Sequence, residues 1–477
     1  MAPAVLAMTR LLALVVVVVI VAVVAGAGPA QARRLPGLGG KVTIALPPEL
    51  VGPTTEAHLY APLVEPAVED DVASALARPA IPGFPAWRSS VLKSINAEDD
   101  GRSYRITVDG PAALVAEAIS RCFSKRTEGS WPSEVLRARG VTSDVAVVGG
   151  DVKVRFSEQV GPIAELLAGC PLRTASSGPT GGYALVGPGV LSWSSAGVGP
   201  LPLIARVDIT SNDVRADVVA GGAESPGSAV LLAPFPDVVV LLQSAATRKK
   251  DALGLFDTKN GGLGMRGFRQ ALRGDLLAAA YAQGRGATAD GLLPPGVAPA
   301  RALPEPQGPE VLAPLSLPQL PSSAPRLVVR RIEGDALLEG VIERLAVILR
   351  NRGILVDIKR STNDAAGDGV EILRWRPPTS DPALALLSLA GKRKELLDDE
   401  TAKRALADPR LLSSSKDERV AAAVALERAW LDAGLTVPLM TADRWFTVDP
   451  DLRGVQIRED GVPLLFDATF IASGAAR

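Results

Sequence analysis

Histidine occurs once in the 477 residues, at His58, cysteine occurs twice, and aromatic side chains make up only 4% of the chain. The lone imidazole lies in a polar, turn-rich stretch with no nucleophile or acid beside it, so Ser-His-Asp and Cys-His catalysis have nothing to build on. His58 is expected at the surface. The chain has no Gly-x-x-x-x-Gly-Lys-Ser/Thr phosphate loop and no Gly-x-Ser-x-Gly elbow, which excludes the ATPase and hydrolase classes those motifs mark. Carboxylates are plentiful, but no acid and base pair stands out, and no enzyme activity, metal or cofactor is expected. Charge of one sign is lacking too: 51 Lys+Arg stand against 52 Asp+Glu, so the positive field that nucleic-acid binding needs is missing. The basic runs Arg248-Lys249-Lys250 and Lys392-Arg393-Lys394 read as solvated surface.

One motif invites a cofactor reading and does not sustain it. Gly262-Leu263-Gly264-Met265-Arg266-Gly267 fits the dinucleotide-binding Gly-x-Gly-x-x-Gly, yet Asp257 to Gly261 separates it from the nearest β-like run. The segment near Asp290, where the fingerprint needs an acid closing a second strand, is turn-like. The glycines read as a loop.

What the chain does have begins at its N-terminus. Arg10, the unbroken apolar run Leu11 to Val24 and the small-residue site Ala30-Gln31-Ala32 have the layout of a secretory signal peptide cleaved after Ala32, with a membrane anchor over residues 11–27 as the alternative. No second long apolar run follows. Export to an oxidising space permits a Cys122 to Cys170 disulfide, and two small buried thiols fit equally well. The length exceeds what one growing core supports, so two or three lobes are expected.

Hydrophobic periodicity places the elements. Lys41 to Leu46 and Tyr104 to Val108 read as strands, Ala112 to Phe123 as an amphipathic helix, and Asp144 to Val148 with Val152 to Phe156 as a hairpin turning at Gly149-Gly150-Asp151. A helix from Pro162 to Ala168 completes a small α+β unit. Val238 to Leu242 is a continuous apolar strand. Phe268, Leu272, Leu276 and Ala279/Ala280 recur at helical spacing before Gly284 and Gly286, and Leu293 to Pro325 is a Pro-rich extended connection. Strand Leu327 to Val329, a helix capped by Asp335 with a stripe at Leu338, Val341/Ile342, Leu345 and Ile348/Leu349, and strand Ile354 to Ile358 form a βαβ unit, which implies a parallel sheet. Val370 to Leu373 is a further strand, then Asp417 to Ala433 a helix and Thr436 to Met440 a strand.

Arg374, Trp375 and Arg376 fall at a strand end before a Pro-rich turn, where open α/β lobes bind ligands. An aromatic face and two planar cations could hold a solute there, or the Trp could pack beneath the loop with its arginines in water.

Taken in order, several segments resemble the extracellular solute-binding proteins of family 5, the peptide- and nickel-type receptors of ABC importers. Gly39 to Pro47 is similar to the family's first strand, Leu59 to Glu65 to its Tyr-x-x-Leu-Val segment, Asp100 to Ile106 to a later strand, and Pro179-Thr180-Gly181-Gly182-Tyr183 to its Gly-Thr-Gly-Pro-Tyr turn. The stretch Gly267 to Gly296, with Arg269-Gln270-Ala271-Leu272 and Leu292-Leu293-Pro294-Pro295-Gly296, resembles a family landmark. Gly353 to Val356 resembles its Gly-Ile-x-Val, Trp375 to Pro382 its Trp-x-x-Asp-x-x-x-Pro loop, and Val437 to Met440 with Leu452 to Val455 its closing segments. Pro378 stands where peptide-binding members carry the aspartate that holds the ligand's amine, with Asp381 nearby.

The resemblance implies a type II periplasmic-binding α/β fold, two lobes with mixed sheets and a small α+β subdomain inserted in lobe I. The expected division is 33–62, 178–245 and 447–477 for lobe I, 63–177 for the insert and 246–446 for lobe II, with the lobes joined by strands crossing near Leu242 and near Trp445. It further implies an exported monomer that captures a small molecule or peptide with Trp375, Arg374, Arg376, Asp381 and Tyr183, closes about a hinge and docks on an ABC permease. The competing expectation is an exported scaffold that keeps the fold without transport, tethered to the membrane in one version.

Overall fold

In the computed structural model the described residues are 40–46, 63–66, 80–124, 130–171, 183–187, 190–193, 204–211, 218–220, 229–232, 235–243, 287–289, 291–297, 326–331, 336–350, 355–360, 370–397, 399–433, 435–442, 445–448 and four two-residue strands between 452 and 470. The expected signal segment 1–32, His58, the Gly262 to Gly267 motif, the helix after Gly267, the Asp335 cap and most of the Pro-rich connection lie outside them. Among the described residues no helix is long and apolar enough to cross a membrane.

Strand β1 (Gly40–Leu46) opens a first sheet. The chain then builds a separate antiparallel sheet from β2 (Leu92–Glu98), β3 (Ser103–Val108), β4 (Ser143–Val148) and β5 (Asp151–Phe156), in spatial order β2-β3-β5-β4. Gly149 and Gly150, with φ of 62° and 90°, form the two-residue turn of the β4–β5 hairpin, a backbone that residues carrying a Cβ adopt at a cost. Alternation sends Ile106, Val152, Val154 and Phe156 inward. Helix α1 (Ala112–Phe123) packs on β4 and β5, its buried stripe including Val115, Ile119 and Phe123. Helix α2 (Trp131–Arg139) starts at Ser130, carries Pro132 in its first turn and ends at Gly140 in the left-handed region. Helix α3 (Ile163–Ala168) follows, and Cys170 just beyond it is bonded to Cys122 of α1 with Cα atoms 5.4 Å apart.

The chain returns to the first sheet through β6 (Tyr183–Gly187), β7 (Val190–Trp193), β8 (Ile204–Ser211), β9 (Val218–Ala220) and β10 (Ala229–Leu232). β1 pairs parallel with β8 and antiparallel with β9. Next comes β11 (Asp237–Gln243), a central strand of a second sheet. Val238 to Leu242 are all buried, as expected of an apolar run covered on both faces.

The βαβ unit forms as its periodicity requires: β12 (Arg326–Arg331) and β13 (Leu355–Arg360) pair in parallel, joined through α4 (Ala336–Arg350), with Leu338, Val341, Ile342 and Leu345 buried. β14 (Val370–Trp375) joins β12 in parallel from the other side. Helices α5 (Pro382–Lys392), α6 (Glu400–Leu406) and α7 (Lys416–Asp432) lead to β15 (Thr436–Ala442), and β16 (Trp445–Val448) re-enters the first sheet. The seven-stranded first sheet runs β10-β16-β9-β1-β8-β7-β6. The six-stranded second runs from a short strand at Ala287–Thr288 through β15-β11-β14-β12-β13.

The chain therefore leaves the first sheet between Leu232 and Asp237 and returns between Ala442 and Trp445. The return lies beside the expected Trp445. The outward passage comes earlier than Leu242, because Val238 to Leu242 is itself core strand of the second sheet and cannot serve as a connector.

The α+β unit is inserted in the chain between two strands of the first sheet, yet its helix α2 lies against α5, the helix that follows β14 of the second sheet. There Ser388 Oγ donates to Glu134 Oε2 at 2.9 Å and Lys392 Nζ stands 3.5 Å from the same oxygen. Burial pushes the Glu134 carboxyl above its ordinary value, with Lys392 and Ser388 opposing the shift.

Two outcomes follow. A pKa raised on folding means that the Glu134 contribution is complete at low pH and is lost as pH rises through the raised value. Glu134→Gln should match the parent below about pH 4 and exceed it by a growing margin as pH rises beyond the ordinary carboxylate range, read from urea midpoints along a pH series. Removing the disulfide by Cys122→Ala with Cys170→Ala should lower unfolding free energy by about 4 kcal/mol, as loop-closure entropy predicts for this span. Urea titration with and without reductant checks it.

Candidate functional site

The candidate site begins where β14 ends. Arg374 and Arg376 are two residues apart at the end of an extended strand, so they project to one face while Trp375 projects to the other. Both arginines converge on Asp237. Arg374 Nε lies 2.5 Å from Asp237 Oδ2, Arg376 Nε donates to Oδ1 at 3.1 Å, and Arg376 Nη2 reaches Oδ2 at 3.5 Å. Asp237 is 1% exposed, whereas the arginine side chains keep 14% and 19% of their surface. Trp375 is buried in the hydrophobic core.

Strand register explains the convergence. Val238 sits opposite Trp375 and Asp237 opposite Ala442, so the first residue of β11, the last of β14 and the last of β15 share one end of the second sheet. Both passages to the first sheet leave from that end. The carboxyl ends of β14 and β15 thus face the connection between the sheets, the position where open α/β folds collect ligands.

The loop that follows is fastened from within. Thr379 Oγ1 accepts from the Asp381 N–H, and Asp381 Oδ1 caps α5 by accepting from the Ala383 and Leu384 N–H groups. Asp381 Oδ2 receives Arg419 Nε at 2.7 Å. The Arg419 guanidinium, itself buried, also donates to the Ser413 and Ser414 carbonyls and to Glu165 Oε1 at 3.0 Å. Burial pushes the Glu165 carboxyl up, against the pull of Arg419. Both oxygens of Asp381, one of the expected solute contacts, are therefore engaged inside the protein. Pro378 is half-buried in the same loop. Tyr183 opens β6 in the first sheet, and its side chain lies outside the described residues.

Part of the Gly267 to Gly296 landmark is visible. Its Leu-Leu-Pro exit docks on α7: buried Glu427 accepts from the N–H groups of Leu292 and Leu293, and Gly291 leaves room where a Cβ would lie 2.5 Å from Glu427 Oε1. Asp237, Arg419, Glu165 and Glu427 were not singled out from sequence. Asp237 carried a signal, as an acid at the mouth of an otherwise apolar strand. Arg419 carried another, as a charge on the buried stripe of α7 with Ala422, Ala423, Leu426 and Trp430.

No family model and no curated protein matches the sequence. By structure the likeness is to binding proteins. The chain resembles a dipeptide-binding protein of Pseudoalteromonas sp. SM9913 in complex with Met-Leu, with TM-score 0.64 and 14% identity over 91% of this chain and 100% of that one. It also resembles NikA of Brucella suis in complex with Fe(III)-EDTA (TM-score 0.57, 14% identity, 90% and 99% covered) and the oligopeptide-binding protein AppA of Bacillus subtilis in complex with a nonapeptide (TM-score 0.59, 13% identity, 91% and 99% covered). The class defined is the α/β fold of periplasmic peptide-binding proteins, with mixed sheets. Within that class the structure matches the family 5 peptide- and nickel-type proteins of ABC transporters at low identity.

The shared carboxylate has a measurable consequence. Asp237→Ala leaves two partly buried guanidiniums without this acceptor and should cost about 3 kcal/mol, since breaking a buried pair strands its partner. Urea denaturation of the variant against the parent measures the loss.

Proposed function

We propose that this chain is a divergent family 5 receptor, exported and cleaved after Ala32, that captures a small solute between two lobes and presents it as a monomer to an ABC permease. In this reading the expected division stands with β11 moved to the second lobe and Trp445 and Phe446 of β16 to the first: 33–62, 178–236 and 445–477 form the first lobe around its sheet, 237–444 the second, and 63–177 the insert. Solute contacts both lobes and stabilises their closed arrangement, and that arrangement is what the permease recognises. No covalent step is involved.

The observation that carries the reading is the coincidence of two chain passages with a cluster of arginines at one end of the second sheet. Arg374 and Arg376 would offer planar donors to the solute from the second lobe, supported by Trp375 beneath, while Asp381 holds the loop and Tyr183 contributes from the first lobe. Met-Leu and Fe(III)-EDTA, the ligands of two of the similar structures, are the first probes, with the nickel chelate Ni(L-His)2 beside them.

A probe that binds should raise the melting temperature, by the equivalent of about 2.7 kcal/mol at a hundredfold excess over Kd. Arg376→Gln should abolish the shift while leaving the fold intact by circular dichroism. If no probe shifts the melting curve and native mass spectrometry finds no co-purified solute, the scaffold reading takes its place.

A further inference from the structure

The α+β unit is threaded through the first lobe but packed on the second. Buried Leu136, Val135, Ile163 and Leu166 belong to the same continuous core as Leu384, Leu387, Leu412 and Leu426. The backbones approach so closely that glycine is required on each side of the contact. A Cβ at Gly391 of α5 would collide with the Glu134 carbonyl of α2, and one at Gly161 would lie 2.5 Å from the Ser413 carbonyl carbon. Polar links cross the same boundary. The Gly161 N–H donates to the Leu412 carbonyl at 2.7 Å, the Arg139 guanidinium donates to the Leu406 carbonyl, and Glu165 holds Arg419. Among the described elements, none of the unit's helices or strands makes an extended contact with a strand of the first sheet.

From this the geometry points to a mechanical grouping that differs from the order of the chain: the α+β unit and the second lobe are one rigid body, and Glu165 and Arg419 are positioning residues for the 376–381 loop. Arg419 Nε grips Asp381, the α5 cap that ends the loop, while Arg419 Nη2 is held by Glu165 of the unit. The unit thereby sets the position of the segment that begins at Arg376. Lobe motion divides the first sheet from everything else. The inference rests on the solute-capture reading for the loop's role, but the grouping itself needs no solute.

The test is hydrogen exchange on the intact mature chain without added ligand. Glu165→Gln keeps the side-chain shape and lies outside the second lobe, yet it should speed exchange of the Ala383 and Leu384 amides at least tenfold, with the β3 and β5 amides unchanged. Unchanged exchange at Ala383 and Leu384 would overturn the positioning role. Spin labels at Asp144→Cys and Arg428→Cys, both exposed, should report one narrow distance. Two populations, or a distance that changes when Met-Leu, Fe(III)-EDTA or Ni(L-His)2 is added, would overturn the rigid grouping. A failure of every probe to bind would count against solute capture alone and leave both results readable.

Discussion

Arg419 is nearly closed off from solvent, and a guanidinium there is tolerable only if every donor finds an acceptor. The acceptors come from three places: Asp381 at the start of α5, the Ser413 and Ser414 carbonyls before α7, and Glu165 of the α+β unit. Moving any one of them away exposes the cost of an unpaired buried charge. Hence one side chain touches the loop after Trp375, the approach to α7 and the inserted unit together, alongside the Glu134, Gly161 and Arg139 links, with the apolar core supplying the bulk of the attraction.

The second organising feature lies at the opposite end of that loop. Asp237 starts β11 immediately after the chain arrives from the first sheet, and the antiparallel register with β14 brings it to Arg374 and Arg376. A carboxylate so placed orients two cations that would otherwise repel, and it does so where the second sheet meets the crossings. Both chain passages between the sheets meet the second sheet at this same end. The side chains give it chemical character, since planar donors in partly desolvated surroundings recognise anionic or carbonyl groups well.

Elements with strong periodicity were legible from sequence. Helix α1 spans Ala112 to Phe123 as its apolar spacing predicts, the β4–β5 hairpin turns at Gly149-Gly150, and β12 and β13 pair in parallel across α4. Helix α2 was not legible. No element is expected there from periodicity, and it is a buried helix because α5 covers it and supplies Ser388 and Lys392 to the Glu134 carboxylate. The strand end at Arg374 to Arg376 was also legible as a place. Trp375 turns into the core, one of the two arrangements its sequence position offers, whereas the Asp381 contact with Arg419 and the acid that organises the arginines come from distant parts of the chain and were not legible.

By itself the sequence determined which strongly periodic segments are helices and strands, which of their faces are apolar, and the order of pieces that resembles a family of receptors. Those properties depend on residues close together in the chain, where periodicity and turn chemistry act. Only the tertiary structure decided that Asp237 meets two arginines, that Arg419 joins Asp381 to Glu165, and that a unit threaded between two strands of the first sheet packs on the helices that follow the second. Each is a contact between residues far apart in sequence, and a charge or a glycine does not reveal its partner until the chain is folded around it.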